Sequence, residues 1–193
     1  MRWLWIDRFV DFIRGERASA IKNVSVAEEQ LQEYFPGYSM MPNSLIVEGV
    51  GQVGGLLLSE LYEFEARVVL AKISRTRFYF PARPGDSLFY QAELDGITRN
   101  GARMVGTSHL GDRLQGEVEM FLAILDHRTN AHPPALFEPA YLLRMMRGLD
   151  LYRVGRTPDG QPLNIPDRML AAERALHNSL ENNSSLPSAP SID

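Results

Sequence analysis

The fold is decided by residues 34–48, which read YFPGYSMMPNSLIVE. Two prolines and one glycine between Phe35 and Asn43 predict an irregular but constrained loop. A helix is expected to begin near Asn43 or Ser44, because either side chain can cap a helix start, and to continue to about Tyr62. Its interior holds four glycines, each of which costs up to about 1 kcal/mol relative to alanine in a helix. So many glycines indicate a buried helix against which other backbone packs closely.

Strand patterns lie on both sides of this helix. Residues 3–13 and 18–24 are rich in aromatic and β-branched side chains and flank Gly15, so they predict a hairpin, which a short helix at 26–35 follows. The later strand candidates are residues 68–80, 87–98, 102–110 and 114–125. Asn100-Gly101 is the strongest short hairpin signal among them, because the turn that it favours needs positive φ at both central residues. The last three strands are therefore expected to form an antiparallel meander.

The chain changes character after Asp126. Residues 138–149 predict a helix that docks on the body, over the pocket entrance, through a face that holds Leu142, Met145, Met146 and Leu149. Residues 166–180 predict another helix, and the polar residues after it lack apolar anchors. The expected organisation is one main domain over residues 1–126, a helical C-terminal extension over 127–181 and a disordered tail over 182–193.

The composition excludes several classes of function. The chain has 193 residues, 45% of them hydrophobic and 23% charged, as in an ordinary soluble domain. Its net charge of −4 argues against a nucleic-acid partner, and the lack of cysteine excludes thiolate chemistry. The longest apolar stretch, residues 45–61, contains Glu48, Gln52 and Glu60, which is too polar for a membrane span. A cytoplasmic protein is the expectation.

The opening stretch resembles the signature of the 3-hydroxyacyl-acyl-carrier-protein dehydratases, the FabZ/FabA family. That signature runs His-Phe-Pro-Gly, a short spacer, Met-Pro-Gly, and then a helix with an acidic residue and, four positions later, a glutamine. The residues that match in identity and spacing are Phe35, Pro36, Gly37, Met41, Pro42, Glu48 and Gln52. Phe78, followed by Pro84-Gly85-Asp86, also looks like the strand entry and turn of the family. The resemblance covers about residues 5–125.

The resemblance implies an α+β hotdog fold, in which an antiparallel sheet wraps around the central helix. It also implies a homodimer, further assembled as a trimer of dimers, in which the histidine and the helical carboxylate of each site come from different subunits. The implied substrate is an acyl-carrier-protein or CoA thioester, and neither a cofactor nor a metal is expected. Gly49 to Gly54 spell the dinucleotide pattern G-x-G-x-x-G, but an antiparallel meander lacks the strand–turn–helix context and parallel sheet that such a site requires.

Two positions depart from the family signature. Tyr34 stands at the histidine position, and Asn43 stands at the glycine of Met-Pro-Gly. The second change is mild, because the family uses the backbone N–H there to bind the thioester carbonyl, and asparagine keeps that N–H. The first change is serious, since dehydration needs both a base and an acid. An unperturbed tyrosine has a pKa of about 10 and stays protonated at neutral pH. Tyr34 is therefore expected to donate a hydrogen bond or a proton but to be a poor base.

The remaining candidate residues each have a structural alternative. Glu48 is predicted to be the acid or base of the pocket, or else a carboxylate bonded to the loop or to a neighbouring helix terminus. Gln52 lies one turn beyond it and either orients the carboxylate and contacts substrate or bonds to a strand. Gly37, Asn43 and Phe78 are predicted to contact substrate. Arg75 and Arg77 are expected either to meet the phosphate of a phosphopantetheine arm at the pocket mouth or to lie on a solvated strand face.

The leading prediction is a hydro-lyase similar to the 3-hydroxyacyl-acyl-carrier-protein dehydratases, with Glu48 as the main chemical group, Tyr34 in the histidine position and impaired or altered catalysis. A hotdog thioesterase that uses Glu48 alone is the second, since a carboxylate can activate water without a histidine. A non-catalytic subunit that binds or scaffolds acyl groups is the third.

Overall fold

The computed structural model describes residues 4–33, 37–125 and 137–184. The strands are β1 (Arg8–Ile13), β2 (Arg17–Asn23), β3 (Arg67–Phe78), β4 (Ser87–Thr98), β5 (Gly101–Leu110), β6 (Arg113–Leu125) and β7 (Gly155–Arg156). The helices are α1 (Glu29–Glu33), α2 (Asn43–Glu60), α3 (Pro139–Gly148), α4 (Leu151–Val154) and α5 (Asp167–Ser184).

One sheet holds all seven strands, in the order β3-β6-β5-β4-β2-β1-β7. Every pairing is antiparallel except that of β1 with β7, which is parallel. Helix α2 lies against one face of this sheet and contacts β2 through β6. An antiparallel sheet packed around one central helix confirms the predicted α+β hotdog architecture and the meander of its last three strands.

The core forms where α2 meets the sheet. Val50 and Leu57 of the helix are fully buried, and a Cβ atom at Gly106 of β5 would lie only 2.3 Å from Val50 Cγ1. Two helix glycines allow the same close approach: a Cβ at Gly49 would lie 2.8 Å from the backbone oxygen of Trp5, and one at Gly54 would lie 2.7 Å from Met104 Cγ. The interpretation of a glycine-rich, closely packed central helix is therefore confirmed at these two positions.

Two local predictions were wrong. The residue that caps α2 is Pro42, which makes no side-chain capping hydrogen bond; its carbonyl accepts from Leu45 N and Ile46 N, and Asn43 is already the first helical residue. The β4–β5 turn is also displaced, because Thr98 pairs with Gly101 and the loop is residues 99–100. Gly101 has a positive φ of 147°, and a Cβ there would also overlap the carbonyl oxygen of Leu122 at 2.0 Å, so two separate features require glycine.

The C-terminal extension docks on the β1 side of the domain. Leu142, Leu143 and Met146 of α3 are buried and belong to the same core as α2. Phe9 N donates to Leu149 O at 2.8 Å, and Arg14 N donates to Arg156 O at 2.9 Å. The short elements α4 and β7 were not predicted, and β7 covers the outer edge of β1.

The two longer helices of the extension lie close to their predicted places. Helix α5 continues to Ser184, inside the stretch that was predicted as a tail. The rest of that tail, residues 185–193, and residues 126–136 at the start of the predicted extension lie outside the described residues. None of the helices in the described part of the chain has both the length and the apolarity that crossing a membrane would require.

Candidate active site

A cavity of about 520 Å³ lies between α2 and the strands β3 and β6. Its size is in the range of small-molecule sites, and most of its surface is apolar. Its lining residues are Leu4, Glu48, Gly51, Gln52, Gly55, Leu56, Ser59, Val68, Val69, Leu70, Leu122, Phe137 and Met145. The residues from α2 lie at positions 48, 51, 52, 55, 56 and 59, a helical repeat that places them on one face of that helix.

The charged and amide groups of the cavity are Glu48 and Gln52, which the spacing along α2 places on the same face. Gln52 Nε2 donates to Glu48 Oε1 at 3.1 Å, and Trp5 N donates to Gln52 Oε1 at 2.8 Å. The amide therefore has a fixed orientation and holds one oxygen of the carboxylate. Glu48 itself is exposed in the single chain. The structure thus brings together the predicted acid–base residue and the predicted orienting residue.

The loop before α2 is shaped by a glycine and anchored to the β3–β4 connection. Gly37 has φ of 80°, a conformation that other residues rarely adopt, and Met41 N donates to Ala82 O at 2.8 Å. Asn43 is half-buried at the first turn of α2. Tyr34 lies outside the described residues, as do Phe35 and Pro36, so its role stays a prediction.

Three predicted substrate residues on β3 do not line this cavity. Phe78 is half-buried and packs on Gly116, where a Cβ would lie 2.7 Å from its Cδ1. Arg75 pairs across the strands with Glu119, and Nη1 lies 3.8 Å from its Oε1. Arg77 stacks over the ring of Tyr79. Their contact with a substrate stays a prediction. It would require another part of the assembled protein to bring the substrate close to them.

Helix α2 carries a second carboxylate that the sequence pattern did not single out. Glu60 is almost fully buried, and Arg14 Nε lies 3.0 Å from its Oε2. Burial raises the pKa of Glu60, while the Arg14 charge lowers it and Glu63 raises it further. At about 1.5 Å per residue, Glu60 is roughly 18 Å from Glu48 along the helix. The ion pair fastens the β1–β2 hairpin to the end of α2, so the structural reading fits Glu60 better than a catalytic one.

The described histidines, His109 on β5 and His177 on α5, lie outside the cavity lining. Across residues 4–33, 37–125 and 137–184, no three histidine or acidic side chains converge in a way that would hold a metal ion. Of the residues that line the cavity, the sequence singled out only Glu48 and Gln52 as site residues; among those it did not are Gly55, Phe137 and Met145. For Met145 the sequence did offer a signal, because the apolar face that was predicted to dock over the pocket entrance includes it.

Comparison with known proteins gives a consistent family assignment. A family model of the FabA-like domain matches residues 2–114. The 3-hydroxyacyl-acyl-carrier-protein dehydratase FabZ of Koribacter versatilis is 38% identical over 124 residues, which are 63% of this chain and 80% of that relative. The dehydratase FabZ of Pelotomaculum thermopropionicum is 35% identical over 123 residues, 63% of this chain and 88% of that relative.

Two solved structures share the fold at low sequence identity. The protein smu.793 from Streptococcus mutans, solved bound to acetyl CoA, aligns with a TM-score of 0.53 at 14% identity over 65% of this chain and 93% of its own. A hypothetical thioesterase from Streptococcus pneumoniae, solved with coenzyme A, aligns with a TM-score of 0.51 at 14% identity over 63% of this chain and 88% of its own.

Proposed function

This chain belongs to the FabZ/FabA-like family of hotdog dehydratases, and from that premise we propose that it binds acyl thioesters and acts on them as a dehydratase-like hydro-lyase. The observation that carries the proposal is the arrangement of the cavity: a carboxylate and an amide lie together on one helix face, and the rest of the lining is mostly apolar. An acyl thioester has the matching form, with its reacting atoms at one end and a hydrocarbon chain at the other.

In this proposal Glu48 exchanges a proton with the substrate. Dehydration of a 3-hydroxyacyl thioester removes a proton next to the thioester carbonyl and protonates the departing hydroxyl. Gln52 holds one Glu48 oxygen, and that fixed position keeps the carboxylate oriented for proton transfer. The start of α2, whose cap residue offers no side chain to the first N–H groups, is suited to receive the thioester carbonyl at Asn43. Tyr34 supplies a hydrogen bond or a proton.

A thioesterase is the second candidate. It is favoured by the fact that no histidine lies among the described residues that line the cavity, and a carboxylate that activates water needs none. A subunit that binds acyl groups without turning them over is the third, and it would keep the cavity while losing the chemistry.

The experiment that tests the proposal offers the wild-type protein 3-hydroxyacyl, enoyl and saturated acyl thioesters, on both CoA and acyl-carrier protein, and resolves the products by mass. We expect interconversion of the 3-hydroxyacyl and enoyl thioesters by loss or gain of water. Release of free acid from the saturated thioester would replace the proposal with the thioesterase. Binding without any product would leave the non-catalytic subunit, and absence of binding would contradict all three.

We also predict a homodimer joined through β3. Strand β3 spans 12 residues at the free edge of the sheet, and Leu70 and Ile73 on it are 44% and 47% exposed. A long edge strand that exposes large apolar side chains is normally paired or covered. Light scattering at micromolar concentration should give the mass of a dimer or of a trimer of dimers. Ile73→Lys should shift the protein toward the monomer, whereas Ile97→Lys should not, because Ile97 is 43% exposed but lies on β4, away from the edge strand. A monomeric wild type would contradict the prediction.

A further inference from the structure

The C-terminal extension contributes part of the wall of the cavity. Phe137 and Met145 line it together with residues of α2, β3 and β6, and both pack against the buried core. The family model ends at residue 114, so these two side chains come from a part of the chain beyond the matched domain. The volume of the cavity therefore depends on a segment that is additional to the matched region.

The glycines of α2 divide into two groups according to what they face. Gly49 and Gly54 face packed atoms, as described above. A Cβ at Gly51 would meet only the end of the Met120 side chain, at 3.4 Å, and a Cβ at Gly55 would meet nothing within 4 Å. Gly55 also lines the cavity, so the space next to it is cavity space. A larger side chain at Gly55 would occupy that space without disturbing the core.

The cavity extends along α2 from Glu48 to Ser59. Eleven residues at about 1.5 Å each make this path roughly 16 Å long, which suits an extended acyl chain better than an acetyl group. Ser59 is the polar residue farthest from Glu48 on this path, and its hydroxyl donates to Gly55 O at 2.7 Å. The Ser59 hydroxyl therefore donates its hydrogen bond within the helix. The end of the cavity near Ser59 accordingly favours a hydrocarbon without a terminal polar group.

We propose that Gly55 and Met145 determine which acyl chains the protein accepts: the missing side chain at Gly55 makes room for a straight hydrocarbon chain, and Met145 of the extension limits its size. This inference rests on the proposed function, since it assigns the substrate class of the same cavity. Neither residue is Glu48 or Gln52, the carboxylate and the amide that holds it, so changing Gly55 or Met145 alters the hydrocarbon fit and leaves the reacting end in place.

The test measures the dissociation constants of a series of saturated acyl-CoA thioesters of increasing chain length. Each additional buried methylene is expected to tighten binding about fourfold until the cavity is full, after which affinity levels off. Gly55→Leu should move that plateau to shorter chains and weaken binding of the longest bound chain by about tenfold or more, while short chains bind as before. Met145→Ala should move the plateau to longer chains.

Gly148→Leu is the matched control, because Gly148 is an exposed helix glycine of the extension with open space around it and no place in the cavity lining. Gly148→Leu should leave the plateau unchanged, and the melting temperature of Gly55→Leu should not fall, since leucine favours a helix more than glycine does. Identical profiles for wild type, Gly55→Leu and Met145→Ala would overturn this inference alone. If no thioester of any length binds to the wild type, the proposed function fails together with it.

Discussion

A chain that ends at residue 126 is expected to melt about 10–20 °C below the full-length protein. The extension contacts β1 through α4 and pairs with it through β7; Phe9 and Phe12 of β1 are fully buried, and Leu143 and Met146 of the extension are buried in the same core. Exposing two large apolar side chains to water lowers the free energy of unfolding by about 3–6 kcal/mol. For a protein of this size each kcal/mol lowers the melting temperature by roughly 2–4 °C.

The truncation also removes backbone pairing along β1. Phe9 N and Arg14 N lose their acceptors, Leu149 O and Arg156 O, and the edge that β7 covers becomes open. Deleting only residues 185–193 is the control, because α5 ends at Ser184; this shorter chain should melt within about 2 °C of the wild type, as terminal residues usually tolerate removal. Equal melting temperatures for the full-length protein and the chain ending at residue 126 would show that the extension does not stabilise the domain.

The architecture could be predicted from the sequence because local signals and the family signature agreed. The glycine-rich helix after Pro42 and the long strands after it carry strong periodic patterns, and the structure follows them closely. The Asn100-Gly101 turn shows the limit of such signals. Glycine is required at position 101 partly because a Cβ there would overlap the carbonyl oxygen of Leu122 on the neighbouring strand, a tertiary contact that the two-residue turn pattern does not reveal.

The elements that were missed have almost no local signature. β7 is two residues long and exists only because Gly155 and Arg156 pair with β1; α4 is a single turn between two longer elements. Neither has enough residues for a hydrophobic period to develop. Their formation depends on the docking of the extension as a whole, so only tertiary structure reveals them.

The arrangement of the candidate site could be predicted for the residues of helix α2 but less well for those of strand β3. Glu48 and Gln52 are four apart on α2, and helical geometry alone places them side by side. On β3 the pairing with β6 shifts between Leu70 and Lys72 and again between Ile73 and Arg75. Each bulge inserts a residue and reverses which side chains face the helix. The orientation of Lys72 and Ile73, which lie between the two bulges, could therefore not be inferred from alternation along the sequence.

Replacing Tyr34 with histidine is expected to raise the rate of 3-hydroxyacyl thioester dehydration by roughly 10²- to 10⁴-fold, the usual contribution of one acid–base group. Tyr34 occupies the position at which the family signature has histidine. A tyrosine with an ordinary pKa of about 10 is a poor base at neutral pH. The wild type should accordingly be slow. The rates of wild type and Tyr34→His, followed as formation of the enoyl thioester, test this directly.

Adding Glu48→Gln to Tyr34→His should then reduce the rate to that of the uncatalysed reaction. The amide keeps the shape of the side chain but cannot act as an acid or a base. Glu93→Gln is the matched control, since Glu93 is an exposed carboxylate of β4 outside the cavity, and it should retain the rate of Tyr34→His. A fast wild-type dehydratase would contradict the prediction of an impaired site. In that event Tyr34→Phe assigns the role: an unchanged rate removes Tyr34 from proton transfer, whereas a lost rate makes its phenol the working acid and leaves Glu48 as the base.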